Sequence, residues 1–210
     1  KQSRSNDIII PDDGAHLTWC MQAFKVKIGQ RLFSAFGNSP MGYALPASIG
    51  ASIANNKKRV ICIDGDGSLQ INIQELQTIV NEKLPIKIFI LNNFGYGIIK
   101  QFQDLYLGSR FEATGKGVSA PNYEKISKAY GIKYVSIKKD ILSKKIIRKI
   151  LNNNQPYICD VLLHPNQKIT PKLGFGNPIE DLSPLLSRSE FNNNMIIPII
   201  KSNKKIIESN

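Results

Sequence analysis

No stretch of this 210-residue chain stays apolar long enough to cross a bilayer. The longest runs, such as Ile86–Leu91 with Lys87 inside it, fall well short of the roughly 20 residues a spanning helix needs. No segment that is charged, then apolar, then small opens the chain, so no signal peptide is expected and the protein reads as cytoplasmic. It begins at Lys1 rather than Met, from which we expect residues upstream. Cysteine is scarce: Cys20, Cys62 and Cys159 sit singly in apolar stretches, without the CxxC spacing of a zinc site or redox pair. That predicts buried free thiols in a reducing compartment.

Acidic residues are also few, 16 against 28 lysines and arginines, for a net charge of +12. Such a balance can attract nucleic acid or an anionic membrane. The densest cluster, however, is Lys138, Lys139, Lys144, Lys145, Arg148 and Lys149, and it alternates at helical spacing with Ile141, Leu142, Ile146, Ile147 and Ile150. This is the pattern of an amphipathic helix with a solvated lysine face. No aromatics are interleaved to stack on bases, so neither nucleic acid nor membrane is expected as a partner.

What is present is ordinary globular composition, 42% hydrophobic and 21% charged, which excludes collagenous, mucin-like and wholly disordered chains. Strand-like runs alternate with helix-period segments. Strands are expected at Ile8–Ile10, Val60–Ile63, Ile86–Leu91, Ile132–Ile137 and Tyr157–Leu163, with an extended piece at Arg31–Phe36. Helices are expected at Ala15–Phe24, Gly42–Ala54, Ile98–Tyr106, Asn122–Tyr130 and Asp140–Leu151, with one more whose inward face is Ile71, Leu76, Ile79 and Val80, and Gly108–Pro121 reads as a loop able to act as a lid. The alternation predicts an α/β fold, a doubly wound parallel sheet with helices on both faces. From Pro165 the periodicity breaks, so residues 1–164 read as the domain and 165–210 as an extended arm packing on another domain or subunit.

Ligands of open α/β sheets bind beyond the carboxyl ends of the strands. Two glycine-flanked polar turns, Gly65–Ser68 and Asn92–Gly95, fall at such ends on consecutive strands. Asp66 offers a carboxylate and Asn93 a side-chain carbonyl, the oxygen donors that a hard divalent ion such as Mg²⁺ takes alongside phosphate oxygens and water. The glycines let backbone groups approach a ligand, and helix N-termini after the turns supply amides to phosphates.

Taken jointly, the sequence resembles the thiamine diphosphate-dependent decarboxylases, in particular acetolactate synthase-like enzymes, in the C-terminal domain that binds the cofactor's diphosphate. The resemblance runs from about Ile8 to Leu163. It is carried by Phe36–Ala47, the Gly65-Asp66-Gly67-Ser68 turn, Gln74-Glu75-Leu76 and Leu91-Asn92-Asn93. It implies thiamine diphosphate and Mg as cofactors, with Asp66, Asn93 and the Gly95 carbonyl on the metal. Gly65, Gly67 and Ser68 would face the diphosphate, as would the Gly14-Ala15-His16 turn. Met41 would bend the cofactor, the Ser39 carbonyl would hold its amino group, Ile98 would flank it, and Ile99 and Phe102 would face the substrate.

The implied activity is decarboxylation of a 2-keto acid such as pyruvate, followed by ligation to a carbonyl acceptor. No catalytic residue is expected in this chain: the activating glutamate belongs to a pyrimidine-binding domain, on the same or a partner chain of a homodimer or homotetramer, and nothing here corresponds to it. By the same resemblance Phe102 stands where acetolactate synthases carry tryptophan. Gly176–Asp181 and Pro184–Leu186 look more like relatives in unusual-sugar biosynthesis. A lyase acting on a sugar-linked acceptor, and a basic binding module without chemistry, therefore stay open beside the first reading. Trp19, Tyr96, Phe102 and Tyr106 also read as simple packing residues, and His164 as structural.

Overall fold

The computed structural model describes residues 2–114, 117–138 and 143–199. The chain divides into two compact units, Lys1–Lys168 and Ile169–Asn210. The first holds six strands, β1 (Ile8–Pro11), β2 (Arg31–Leu32), β3 (Val60–Gly65), β4 (Lys87–Asn92), β5 (Lys133–Ile137) and β6 (Tyr157–Leu162). Its helices are α1 (Ala15–Ala23), α2 (Ala44–Ala54), α3 (Glu75–Asn81), α4 (Gly97–Tyr106), α5 (Tyr123–Ala129) and α6 (Ser143–Leu151). All strand pairs are parallel, in the order β2-β1-β3-β4-β6-β5.

Alternating side chains sort the core to two faces, as the pleat requires. Ile10, Val60, Cys62, Ile88, Ile90 and Ile158 pack with Leu45, Ile49, Leu76, Ile79 and Tyr123, which places α2, α3 and α5 on one face. Ile9, Ile61, Ile63 and Phe89 turn to the other, against Phe24 after α1 and Ile147 and Leu151 of α6. The doubly wound α/β expectation therefore holds. On α6, Ile150 is buried while Lys144, Lys145, Arg148 and Lys149 are exposed. The expected start of that helix at Asp140, with Lys139, Ile141 and Leu142, lies outside the described residues.

Several boundaries differ from the sequence expectation. The extended piece Arg31–Phe36 shrinks to Arg31–Leu32, because β1 offers only Ile8 and Ile9 as partners before the chain leaves toward α2. The turn after β3 enters a 3₁₀ segment, Ser68–Asn72, and α3 itself starts only at Glu75, so Ile71 precedes the helix and is exposed rather than facing inward. The second unit carries a short helix, α7 (Arg188–Asn194), capped by Ser187, and a bridge between Lys172 and Ser183, where an extended arm was expected. The three cysteines are free and buried, and burial pushes the Cys20 thiol up to about 11 and that of Cys159 to about 12. Among the described residues no helix is long and apolar enough to cross a membrane.

Candidate functional site

The connection from β1 leads outward to β2, whereas β3 leads the opposite way to β4, so the strand order reverses between β1 and β3. A crevice opens at the carboxyl ends of strands at such a reversal. Here the end of β1 delivers Asp12 to His16, β3 delivers Asp64 to Ser68, and β4 delivers Asn92 to Gly95. A cleft of about 80 Å³ lies between these turns. Of the residues singled out from sequence, Gly14, Ala15, His16, Met41, Gly65, Asp66, Gly67, Ser68, Asn93, Gly95, Ile98 and Ile99 line it. Ser39 and Phe102 do not. Ser39 lies in a turn at φ 42°, and Phe102 packs its ring 5.0 Å from that of Tyr106 while remaining 39% exposed.

The most telling geometry is at Asp66. The Asn93 side-chain amide lies 3.2 Å from Asp66 Oδ1 and 3.0 Å from the Gly95 carbonyl oxygen, and with its nitrogen turned toward them it donates to both. With oxygen in that position three oxygens converge with no proton among them, which is the donor set of a hard cation. Asp66 Oδ2 is buried and has no partner among the described residues. Burial raises the Asp66 carboxyl to about 6, although backbone amides at Asp66, Gly95 and Asn93 pull it down; Asp160 adds a smaller upward push. A bound cation would oppose that burial penalty.

Glycines make the cleft possible by close approach. A Cβ on Gly67 would lie 2.4 Å from Cε1 of Tyr96, and one on Gly65 would lie 2.8 Å from Cε1 of His16. Gly14, at φ 141°, is likewise filled by the His16 ring. His16 is buried, its Nε2 has no partner among the described residues, and burial drops its pKa to about 4, so the imidazole stands neutral against the cleft. The Ser68 hydroxyl is committed inward, donating to Asp64 Oδ1 and accepting from the Gly65 N–H at 3.0 Å. What Ser68 offers a phosphate is therefore its backbone.

Supporting residues escaped the sequence reading. Asp12 accepts from the N–H groups of Gly42 at 2.9 Å and Ala44 at 2.6 Å, tying the end of β1 to the start of α2 beside Met41. With Asp12 so engaged, the buried group Asp12, His16 and Asp64, whose ligand atoms lie within 4.8 Å of one another, is a staple of the fold first. The Tyr123 hydroxyl donates to the Asp66 carbonyl. Asn92 donates to Asp160 Oδ1 at 3.1 Å and accepts from the Phe94 N–H at 3.1 Å, which shapes the second turn. Of these only Asn92 lies in a motif read from the sequence; for Asp12 and Asp160 the signal was a polar residue beside or within an apolar strand.

Comparison with known proteins matches residues 12–161 to the family described as thiamine pyrophosphate enzyme, C-terminal TPP binding domain. The acetolactate synthase large subunit of Porphyra purpurea is 36% identical over 165 residues, 79% of this chain and 28% of that protein. That of Cyanidium caldarium is 37% identical over 167 residues, again 79% and 28%. Acetolactate synthase 1, chloroplastic, of Zea mays is 33% identical over 175 residues, 80% of this chain and 27% of its own length. The chain thus spans under a third of the length of these relatives.

Proposed function

The chain belongs to the thiamine pyrophosphate enzymes through their C-terminal TPP binding domain, and on that premise we propose that it is the diphosphate- and Mg-binding part of an acetolactate synthase-like carboligase. The substrate is a 2-keto acid, pyruvate first, whose decarboxylated product is joined to a carbonyl acceptor. The observation that supports the reading is that Asp66, Asn93 and Gly95 meet at the ends of two adjacent strands, beside a buried Asp66 carboxylate oxygen with no partner among the described residues.

These three residues would hold Mg²⁺, with phosphate oxygens and water completing its shell. Bound thiamine diphosphate supplies an electron sink for loss of carbon dioxide. The chain's own residues do the placing. Gly65, Gly67 and the backbone of Ser68 let the diphosphate approach, with the Gly14-Ala15-His16 turn closing the other side. Met41 and Ser39 would set the aminopyrimidine, and Ile98, Ile99 and Phe102 would present an apolar wall that keeps water from the reacting carbonyl.

A cleft of about 80 Å³ houses the metal and diphosphate end only. The rest of the cofactor and the activating glutamate require a pyrimidine-binding domain, in a homodimer or larger assembly. Free buried cysteines fit a cytoplasmic, reducing setting. Asp66→Ala in the full-length protein should abolish magnesium-dependent binding of thiamine diphosphate in calorimetry. Unchanged affinity would sink the assignment. The 210 residues alone should not consume pyruvate.

A further inference from the structure

The opposite end of the sheet is built very differently. Strand β3 begins at Val60 and ends at Gly65, about 17 Å further on at the usual rise per residue. Around its beginning lies a hollow of about 490 Å³. Five cations line it, Arg4, Lys57, Lys58, Arg59 and Lys83, against a single acid, Asp7.

The pairings leave a surplus. Arg59 grips Asp7 with a fork, Nη2 lying 2.5 Å from Oδ1 and 2.6 Å from Oδ2. Asp7 is thereby consumed, since it also accepts from the Arg4 N–H at 2.6 Å. Lys57 pairs outside the lining, with Glu82 at 3.0 Å. Among the described residues the Arg4 guanidinium reaches only the neutral Asn152 Oδ1, at 3.4 Å. The ammonium groups of Lys58 and Lys83 have no hydrogen-bond or acidic partner among the described residues. Three uncompensated cations therefore surround one concavity, together with the amides of Asn6 and Asn154.

Two further features agree. Lys57 and Lys83 both sit in the left-handed region, at φ 54° and 53°, positions after a helix where glycine or asparagine is usual. The chain keeps lysine there. Lys87, fully buried at the start of β4, donates to the Gln155 carbonyl, and its pKa falls to about 8 through burial and then through the nearby charges of Arg59 and Lys133.

We propose that this hollow is a binding site for a small phosphate-rich anion, a di- or triphosphate, separate from the cofactor cleft. Orthophosphate would fill little of the space, and the volume falls in the range of small-molecule sites. Arg4 provides a planar fork for two phosphate oxygens, while Lys58 and Lys83 act as point charges on either side. The proposal does not depend on the cofactor reading, because no residue is shared with the cleft.

The test is titration calorimetry on the full-length protein, with thiamine diphosphate and excess magnesium present throughout so that the cofactor cleft is filled. The probes are tripolyphosphate and ATP. A single saturable site is expected, weakened tenfold or more in Lys58→Gln/Lys83→Gln. It should be unchanged in Lys144→Gln/Lys145→Gln, which removes the same charge from α6. ATP binding more tightly than tripolyphosphate makes the ligand a nucleotide; equal affinity makes the polyphosphate chain sufficient. No saturable binding, or equal weakening in both double variants, overturns the site, the latter because net charge alone would then explain the attraction.

Discussion

Replacing Tyr123 by phenylalanine removes one oxygen from a side chain that is 2% exposed and leaves the ring in place. The lost hydroxyl donates to the carbonyl of Asp66, and that carbonyl accepts a second bond, from Gln70 Nε2 at 3.0 Å. Because one donor remains, Tyr123→Phe should cost about 1 kcal/mol, the net worth of an ordinary hydrogen bond, rather than the roughly 1–3 kcal/mol of an orphaned buried group. Gln70→Ala, at a half-buried position, should cost about 0.5 kcal/mol by the same reasoning. With both changes the carbonyl loses both donors, and the double variant should be destabilised by about 1 kcal/mol more than the sum of the single costs. Urea denaturation at constant m-value reads all three, and magnesium-dependent cofactor affinity should follow the same order as the metal turn loses its anchor. Strict additivity would refute the reasoning, since it would mean that the two donors do not share one buried acceptor.

Gly67→Ala places a Cβ 2.4 Å from the Tyr96 ring; the ring must move, and thiamine diphosphate affinity should drop at least tenfold while far-UV circular dichroism is unchanged. His16 should titrate by NMR at about 4. Its folded pKa is depressed, so the unfolded chain binds the proton first and His16 contributes a loss of stability as pH falls from about 6.5 toward 4, a loss that should be smaller in His16→Gln. Phe102→Trp in the full-length enzyme should raise the preference for 2-ketobutyrate over pyruvate as acceptor, by the roughly 1–3 kcal/mol that a small change in apolar contact provides. A ratio that does not move in competition assays would place Phe102 outside the substrate pocket.

The parallel sheet was legible because β3, β4 and β6 are short and nearly continuous in apolar residues, as strands covered on both faces must be. The two turns were legible because consecutive parallel strands bring their carboxyl ends together, so Asp66 and Asn93 meet across one helix and one strand of intervening chain. Tyr123 and Asp160 were not. Tyr123 reaches Asp66 from 57 residues away and touches only its backbone, and Asp160 meets Asn92 across 68 residues. Contacts of that kind depend on where β6 inserts in the sheet, beside β4 rather than after β5, and hydrophobic periodicity carries no such information. The early end of β2 was hidden for a similar reason, since Phe33 and Phe36 look strand-like but the ladder with β1 ends at a single bond from the Phe33 N–H to the Ile9 carbonyl.

The amide of Asn93 has a consequence for how quickly the site can fill. Rotated one way it donates to Asp66 and Gly95, and rotated the other way it joins them as a third oxygen. Loading and unloading a cation thus ask for a half-turn of one terminal torsion, a movement on the scale of side-chain rotation rather than of loop rearrangement. Exchange of the ion would then be set by its own dehydration and by access through the cleft, and the protein frame would be the same before and after.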